Sequence, residues 1–550
     1  MDMGTKDKQR RISHETHRFL LLALMMALLT LPAMAESKTL TWARGYESTS
    51  LDPAESSDDE SNNIVSYTTE GLVRVFNGDV VPGIAESWDA NEAGDVYTFH
   101  LRESVWSDGT PLNAHDFEYA FFRLIDPEAG HSQAASGFCV LNAEAYNAGQ
   151  TGAENVGFKV LDDYTIEVTF ASQGLENLYL MADNALHPLK KEFVEAAAET
   201  YGSDADKILG NGPMVITEWL HEGTMTLSRN ENYWNKDAVQ LDQLIGMCNV
   251  SGDTASEMMM TGMVDLAAFS DPTYYQPLYD MGFKGMTYTN TDQFIQINQN
   301  GRTEAQGRFL SNVNFRRALS AAIDRTALVN TVMLGQTPAY RVIDPDANGV
   351  EGKFAEEYPV EQQINVTSDP EAAKSYLAAA LEELGATADD IPEFSMLCYD
   401  TQGNLTKLQA VQDMLLNVLG VKCTIDPQPI QQMIAKVYSF DYDFWTGGVS
   451  IGTVDAASPS GVYSYWDAND PDALFGYTNT EYAALLDTAQ QATDYKTRCD
   501  AIAAIEKIFI DEVPSLLLTW QTQNVVYREG ITITNVDAGY GADLAFVKVD

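Results

Sequence analysis

Residues 448–452 read Gly-Val-Ser-Ile-Gly, the G-x-S-x-G spacing that can hold a serine nucleophile on a sharp turn. Serine attack on an acyl carbon needs an imidazole to take the hydroxyl proton, and in that motif an acid and then a histidine follow the serine. The seven histidines are His14, His17, His100, His115, His131, His187 and His221, and none follows Ser450. That order argues against catalysis and for a glycine-rich turn whose backbone can approach a ligand. His221-Glu222 opens like a zinc-protease helix, but the second histidine four residues on is missing. Residues 344–349, Asp-Pro-Asp-Ala-Asn-Gly, resemble the start of a calcium loop. The twelfth position, which should offer a bidentate Glu, is Ala355, with Glu356 one residue late, so a surface turn is expected. No phosphate-cradling G-x-x-x-x-G-K-[ST] occurs. The chain is therefore expected to be no enzyme and to carry no cofactor or metal.

The five cysteines, Cys139, Cys248, Cys398, Cys423 and Cys499, are scattered and form no C-x-x-C. Buried free thiols are expected rather than a zinc site or a disulfide framework. Asp plus Glu total 80 against 33 Lys plus Arg, a net charge of −47. Such a field repels phosphate backbones, which excludes nucleic acid as a partner and otherwise serves solubility. With 550 residues, 45% hydrophobic, the chain exceeds what one core usually supports, so two or three domains are expected.

Near the start, Lys6, Lys8, Arg10, Arg11 and Arg18 precede an apolar run over 19–31, followed by Ala33-Met34-Ala35. This reads as a secretory signal peptide over 1–35, cleaved after Ala35. No cysteine ends the apolar run, so no lipid anchor is expected there. The protein is expected to be exported, periplasmic or else secreted or held at the cell surface.

Downstream, Thr39-Leu40-Thr41-Trp42 reads as a strand and Tyr97-Thr98-Phe99-His100-Leu101 alternates like a half-buried one. Asn113 or Asp116 can cap a helix through Phe117, Phe121 and Leu124. Residues 159–161 and 165–170 read as a hairpin turning at Asp162-Asp163. Further on, helices are expected over 315–323 and 326–334, over 370–385 capped by Asp369, over 405–419 ending at Gly420, and within 482–510. Strands at 394–398 and 421–425 flank the third of these and predict a parallel crossover, and two more strands are expected at 516–520 and 524–527. The fold class is α/β. No linker-like tract separates domains, so the chain should cross between lobes more than once, leaving a cleft suited to a ligand.

Several blocks resemble the periplasmic oligopeptide-binding proteins, of the peptide/nickel class (family 5) of ABC-importer solute-binding proteins. They are Leu51-Asp52-Pro53 with Glu70-Gly71-Leu72, then Pro82-Gly83-Ile84-Ala85-Glu86-Ser87-Trp88, then Trp106-Ser107-Asp108-Gly109-Thr110-Pro111-Leu112. Gly210-Asn211-Gly212-Pro213, Tyr233-Trp234, Phe315-Arg316-Arg317-Ala318-Leu319, Ile323-Asp324-Arg325 and Glu512-Val513-Pro514 continue the match across the chain. The resemblance implies a bilobal Venus-flytrap fold of three domains. Domain I would combine 36–69, 190–289 and 519–550; domain II would be the insertion 70–189; domain III would span 290–518.

The resemblance also implies a monomer that binds peptide between domains I and III and delivers it to permease subunits in the cytoplasmic membrane. The family block Gly-Trp-x-x-Asp, a second acid and Pro aligns with Gly448 to Pro459. Val449 stands at the Trp position, Gly452 at the amine-binding Asp, and Asp455 at the second acid. Basic positions that grip a peptide carboxylate align with neutral residues such as Thr446. Asp455 is thus expected to bind the α-ammonium, and Gly447, Val449 and Ser450 to offer backbone groups. Trp445, Phe294 and Asp59 are expected to line the pocket. The rival readings are the same fold binding a sugar, an opine or a metal chelate, and a secreted hydrolase using Ser450.

Overall fold

Alternating Thr-Leu-Thr-Trp-Ala makes the strand Thr39–Ala43, with Leu40 and Trp42 buried and the residues between them half-exposed. It lies inside an eleven-stranded mixed sheet. The computed structural model describes residues 37–449, 466 and 477–549, apart from 78, 175, 344–346, 348, 361–363 and 538–540. In spatial order the sheet runs Met214–Trp219, Thr224–Arg229, Gln243–Met247, Thr39–Ala43, Leu266–Phe269, Ser515–Tyr527, Lys284–Ile297, Phe444–Val449, Phe394–Tyr399 and Cys423–Gln428. The short strand Thr337–Pro338 pairs separately with Ser515–Tyr527.

The sheet narrows in its middle. Leu266–Phe269 pairs with residues 524–527, and Thr337–Pro338 pairs with residues 519–520. Between them, Gln521, Thr522 and Gln523 face only Thr291, Thr289 and Tyr288 of the neighbouring long strand. The register shifts here, between Thr289 and Thr291, marking a β-bulge. Ser515–Tyr527 is thus one strand of 13 residues rather than the two expected. Its polar centre, Gln521, Thr522 and Gln523, interrupts the apolar run on either side of it in the sequence.

Beyond this neck the strands Phe394–Tyr399, Cys423–Gln428 and Phe444–Val449 are parallel, and the helix Gln402–Leu419 crosses over between the first two. Thr401 caps that helix and Gly420 closes it at φ 72°, a left-handed backbone that glycine adopts freely. The helix Pro370–Leu384 starts on Asp369, as expected. Helical residues 313–331 are broken after Ala322, where Asp324 caps a fresh helix Arg325–Thr331. Phe315, Leu319, Ile295, Phe394, Leu408 and Val411 share one core on this face of the sheet. Phe294, Trp466, Ile502, Phe509 and Trp520 share another.

A separate four-stranded antiparallel sheet, Ala85–Ala90, Val96–Leu101, Thr165–Thr169 and Phe158–Asp162, packs on the helix Ala114–Leu124. Both candidate caps of that helix act together: the Asn113 side chain accepts from the first turn, and Asp116 returns a bond to the Asn113 amide. Gly210 lets two segments touch, since a Cβ there would stand 2.0 Å from the Thr68 carbonyl oxygen. All five cysteines are free, four of them buried and Cys139 partly so. Among the described residues no helix is long and apolar enough to cross a membrane.

Candidate ligand-binding site

Strand pairing gives the first feature. Phe444–Val449 is flanked on one side along its whole length by the long strand, from Ile297 opposite Phe444 to Asp292 opposite Val449. On the other side Phe394–Tyr399 accompanies it only through Met396 opposite Phe444 and Leu397 opposite Trp445. Among the described residues no strand covers the second edge of 446–449. These residues end the parallel strand at its carboxyl terminus, the position where open α/β sheets hold ligands. An unpaired edge offers backbone N–H and C=O groups to an added strand.

The expected site residues fall into three groups. Gly447 and the backbone of Val449 lie on that open edge. A Cβ at Gly447 would come within 2.7 Å of the Trp445 ring, so the indole lies over this glycine and only Gly fits. Trp445 is half-buried, edge-on to Phe294 at 6.1 Å between ring centroids. Phe294 is fully buried between Trp445 and Trp466 and supports the strand from behind. Ser450 and Asp455 lie outside the described residues.

Asp59 lies on the other half of the sheet. It begins the helix Asp59–Thr68 and lines a cavity of about 310 Å³ with Trp42, Tyr46, Tyr67, Ser270 and Gln523. A larger space of about 520 Å³, between residues 358–360 and the helix Tyr495–Glu512, shares none of these residues. Its neighbouring Asp58 is the helix cap and accepts bonds from Ser61 and Thr49. Burial opposes ionisation of Asp58, but those hydrogen bonds outweigh it and hold its carboxyl below the usual range. Asp59 has no such donors; burial first, and then the Asp58 charge, push its pKa up. Glu60 turns away to the buried Arg44, whose Nε donates to it at 2.8 Å while its second amino group donates to Ser48. Burial raises the Glu60 pKa against the pull of Arg44. Among the described residues Asp59 is thus the carboxylate of this group without a hydrogen-bond or ion-pair partner.

Sequence reasoning missed the aromatic walls Trp42, Tyr46 and Tyr67, which the fold brings together with Ser270 and Gln523 from distant parts of the chain. Most of the calcium-like segment 344–349 lies outside the described residues; just after it, the Glu357 carboxylate accepts from the amides of Val350, Glu351 and Gly352. Among the described residues no cluster of three metal-ligating side chains occurs.

A strand end uncovered among the described residues and a cavity walled by Trp42, Tyr46 and Tyr67 are two places in this mixed sheet where a solute could sit. The chain matches the model of the bacterial extracellular solute-binding proteins, family 5, over residues 79–471, and belongs to that family. It is accordingly a binding protein and not an enzyme. It is 29% identical over 497 residues to the oligopeptide-binding protein OppA of Bacillus subtilis, covering 88% of this chain and 87% of that one. With the periplasmic oligopeptide-binding protein OppA of Salmonella typhimurium it shares 30% identity over 484 residues, 86% of this chain and 85% of the other. Among solved structures, the substrate-binding domain of an oligopeptide ABC transporter from Bacillus anthracis superposes with a TM-score of 0.72 at 26% identity, covering 94% of this chain and 99% of that one. The unliganded open form of the murein tripeptide-binding protein MppA gives a TM-score of 0.76 at 22% identity, covering 94% and 98%, a likeness of fold.

Proposed function

We propose that this protein is the extracytoplasmic receptor of an ABC importer, capturing peptides between two lobes and presenting them to a membrane permease. The observation that carries this reading is the uncovered edge of residues 446–449. A peptide added there gains main-chain hydrogen bonds that do not depend on its sequence. The backbones of Gly447, Val449 and Ser450 supply those bonds. Asp455 and Asp59 are the carboxylates assigned to its cationic groups, and the aromatic cavity takes a side chain. Relatives named for oligopeptide binding support peptide as the ligand.

In this reading residues 1–35 are an export signal and the protein works as a monomer in the periplasm. Residues 36–69, 190–289 and 519–550 form domain I, 70–189 the inserted domain II, and 290–518 domain III. The two-strand neck between Tyr288 and Thr291 is the hinge on which the lobes close.

Isothermal titration of the purified protein with a mixture of random tri- to pentapeptides tests the proposal. Heat release and a raised melting temperature are expected; neither, at saturating peptide, would end it. One relative carries the name of a probable deoxycholate-binding protein, which keeps a non-peptide solute as the second reading. Mass spectrometry of the molecule that copurifies separates the two.

A further inference from the structure

Lys407 sits in the helix Gln402–Leu419 with 6% of its surface exposed. An ammonium has three donors. This one reaches the Oε1 of Gln293, at 3.3 Å, and it has no carboxylate partner among the described residues. Burial pulls its pKa from 10.5 to about 8. The other ionisable group in its field is the Cys398 thiol, pushed up to about 11 by burial and so uncharged. A lone buried charge is costly, and a chain with 80 acidic residues does not lack counter-ions. Elsewhere buried arginines are better supplied: Arg341 has Glu506, Arg44 has Glu60, and Arg316 and Arg325 each donate to several backbone carbonyls.

The surroundings of Lys407 point the same way. Gln293 lies opposite Gly448 and Ile295 opposite Thr446. Directly paired residues and alternate residues of a strand share a face, so Gln293 and Thr446 project toward the helix that carries Lys407. Thr446 is 5% exposed, and its hydroxyl has no hydrogen-bond partner among the described residues. The Gln293 amide reaches Gln521 at the neck only at 3.4 Å. An ammonium and a hydroxyl, both buried and both short of acceptors, thus stand beside the carboxyl end of the open-edged strand.

We infer that Lys407 is an anion-receiving group of the ligand site, taking a carboxylate of the bound solute, with the Thr446 hydroxyl as a second donor. The inference rests on the reading that the solute lies along 446–449. It requires an anionic group on that solute, which a peptide with a free carboxyl terminus or an acidic side chain supplies.

The test follows the lysine itself. The full chain is labelled with 13Cε-lysine, the Lys407 resonance is assigned with Lys407→Arg, and its titration is recorded with no addition, with propionate and with propionamide. Propionate should raise the midpoint from about 8 to about 9 or higher, because an anion favours the charged form, while propionamide leaves it in place. Equal midpoints with propionate and propionamide would overturn the inference, whatever the protein does with peptides. In parallel, peptides with free carboxylates should bind wild type roughly tenfold or more tightly than their carboxamides, a preference that Lys407→Met erases and Lys407→Arg keeps. A preference unchanged in Lys407→Met would also overturn it. A protein that responds to propionate but binds no peptide in either form retains the anion site and loses the peptide reading.

Discussion

The two halves of the large sheet treat charge in opposite ways. On the half built from Thr39–Ala43, Gln243–Met247 and Leu266–Phe269, the buried cation Arg44 is satisfied by Glu60, and the carboxylate left over is Asp59. On the half built from Phe394–Tyr399 and Phe444–Val449, the buried carboxylate Asp443 is satisfied by Arg302 and the Ser395 amide, and the cation left over is Lys407. Among the described residues, Asp59 and Lys407 are thus groups of opposite sign with no ion-pair partner, one on each half. On the proposed reading, that asymmetry suits a solute with a positive and a negative group.

Four substitutions break or sharpen this contrast. Glu506→Gln strands Arg341, which lies 1% exposed with its Nε 3.0 Å from that carboxylate. A loss of about 3–5 kcal/mol in urea-induced unfolding is expected, the largest effect of the set. Arg44→Met leaves Glu60 unpaired, but that side chain is 17% exposed and can find water. The expected loss is about 2 kcal/mol by the same measurement.

Lys407→Met should act in the other direction and stabilise the empty protein by on the order of 1 kcal/mol. The sign follows from its depressed pKa. Between about 8 and 10.5 the unfolded chain holds this proton and the folded chain does not, so wild-type stability rises with pH across that window. Stability curves at pH 7.5 and pH 10 should show the rise in wild type and its loss in the variant. Asp59→Asn should leave unfolding within about 0.5 kcal/mol of wild type, since the group holds nothing together. It should still weaken a lysine-bearing peptide severalfold at low salt and less at high salt, measured by titration.

Local signals were legible wherever one residue decides a local structure. Asn113 with Asp116, Asp369 and Gly420 mark helix ends through hydrogen bonds within a few residues, and the hairpin turn at Asp162-Asp163 is equally local. The crossover between Phe394–Tyr399 and Cys423–Gln428 was legible because short apolar strands bracket one long helix. The long strand Lys284–Ile297 was not, because Thr287, Thr289 and Thr291 alternate with Tyr288 and Asn290 and so show no apolar-polar period in the sequence. At the site, Asp59 and residues 447–449 were reached through resemblance. Trp42 and Gln523 come together only in the fold. Lys407 is a lysine at a helix position that pattern alone assigns to the surface, and the two neighbours that define it, Gln293 and Thr446, lie on other strands.

The narrowing of the sheet at Gln521 to Gln523 has a mechanical meaning. A ribbon of two strands twists further than a broad sheet, and its bulge already departs from regular pairing. Torsion concentrated there deforms few ladder bonds and disturbs neither of the cores beside Ile295 and Leu244. If the proposed hinge lies there, the grip on a small solute acts across a joint of two strands rather than across the whole breadth of the sheet.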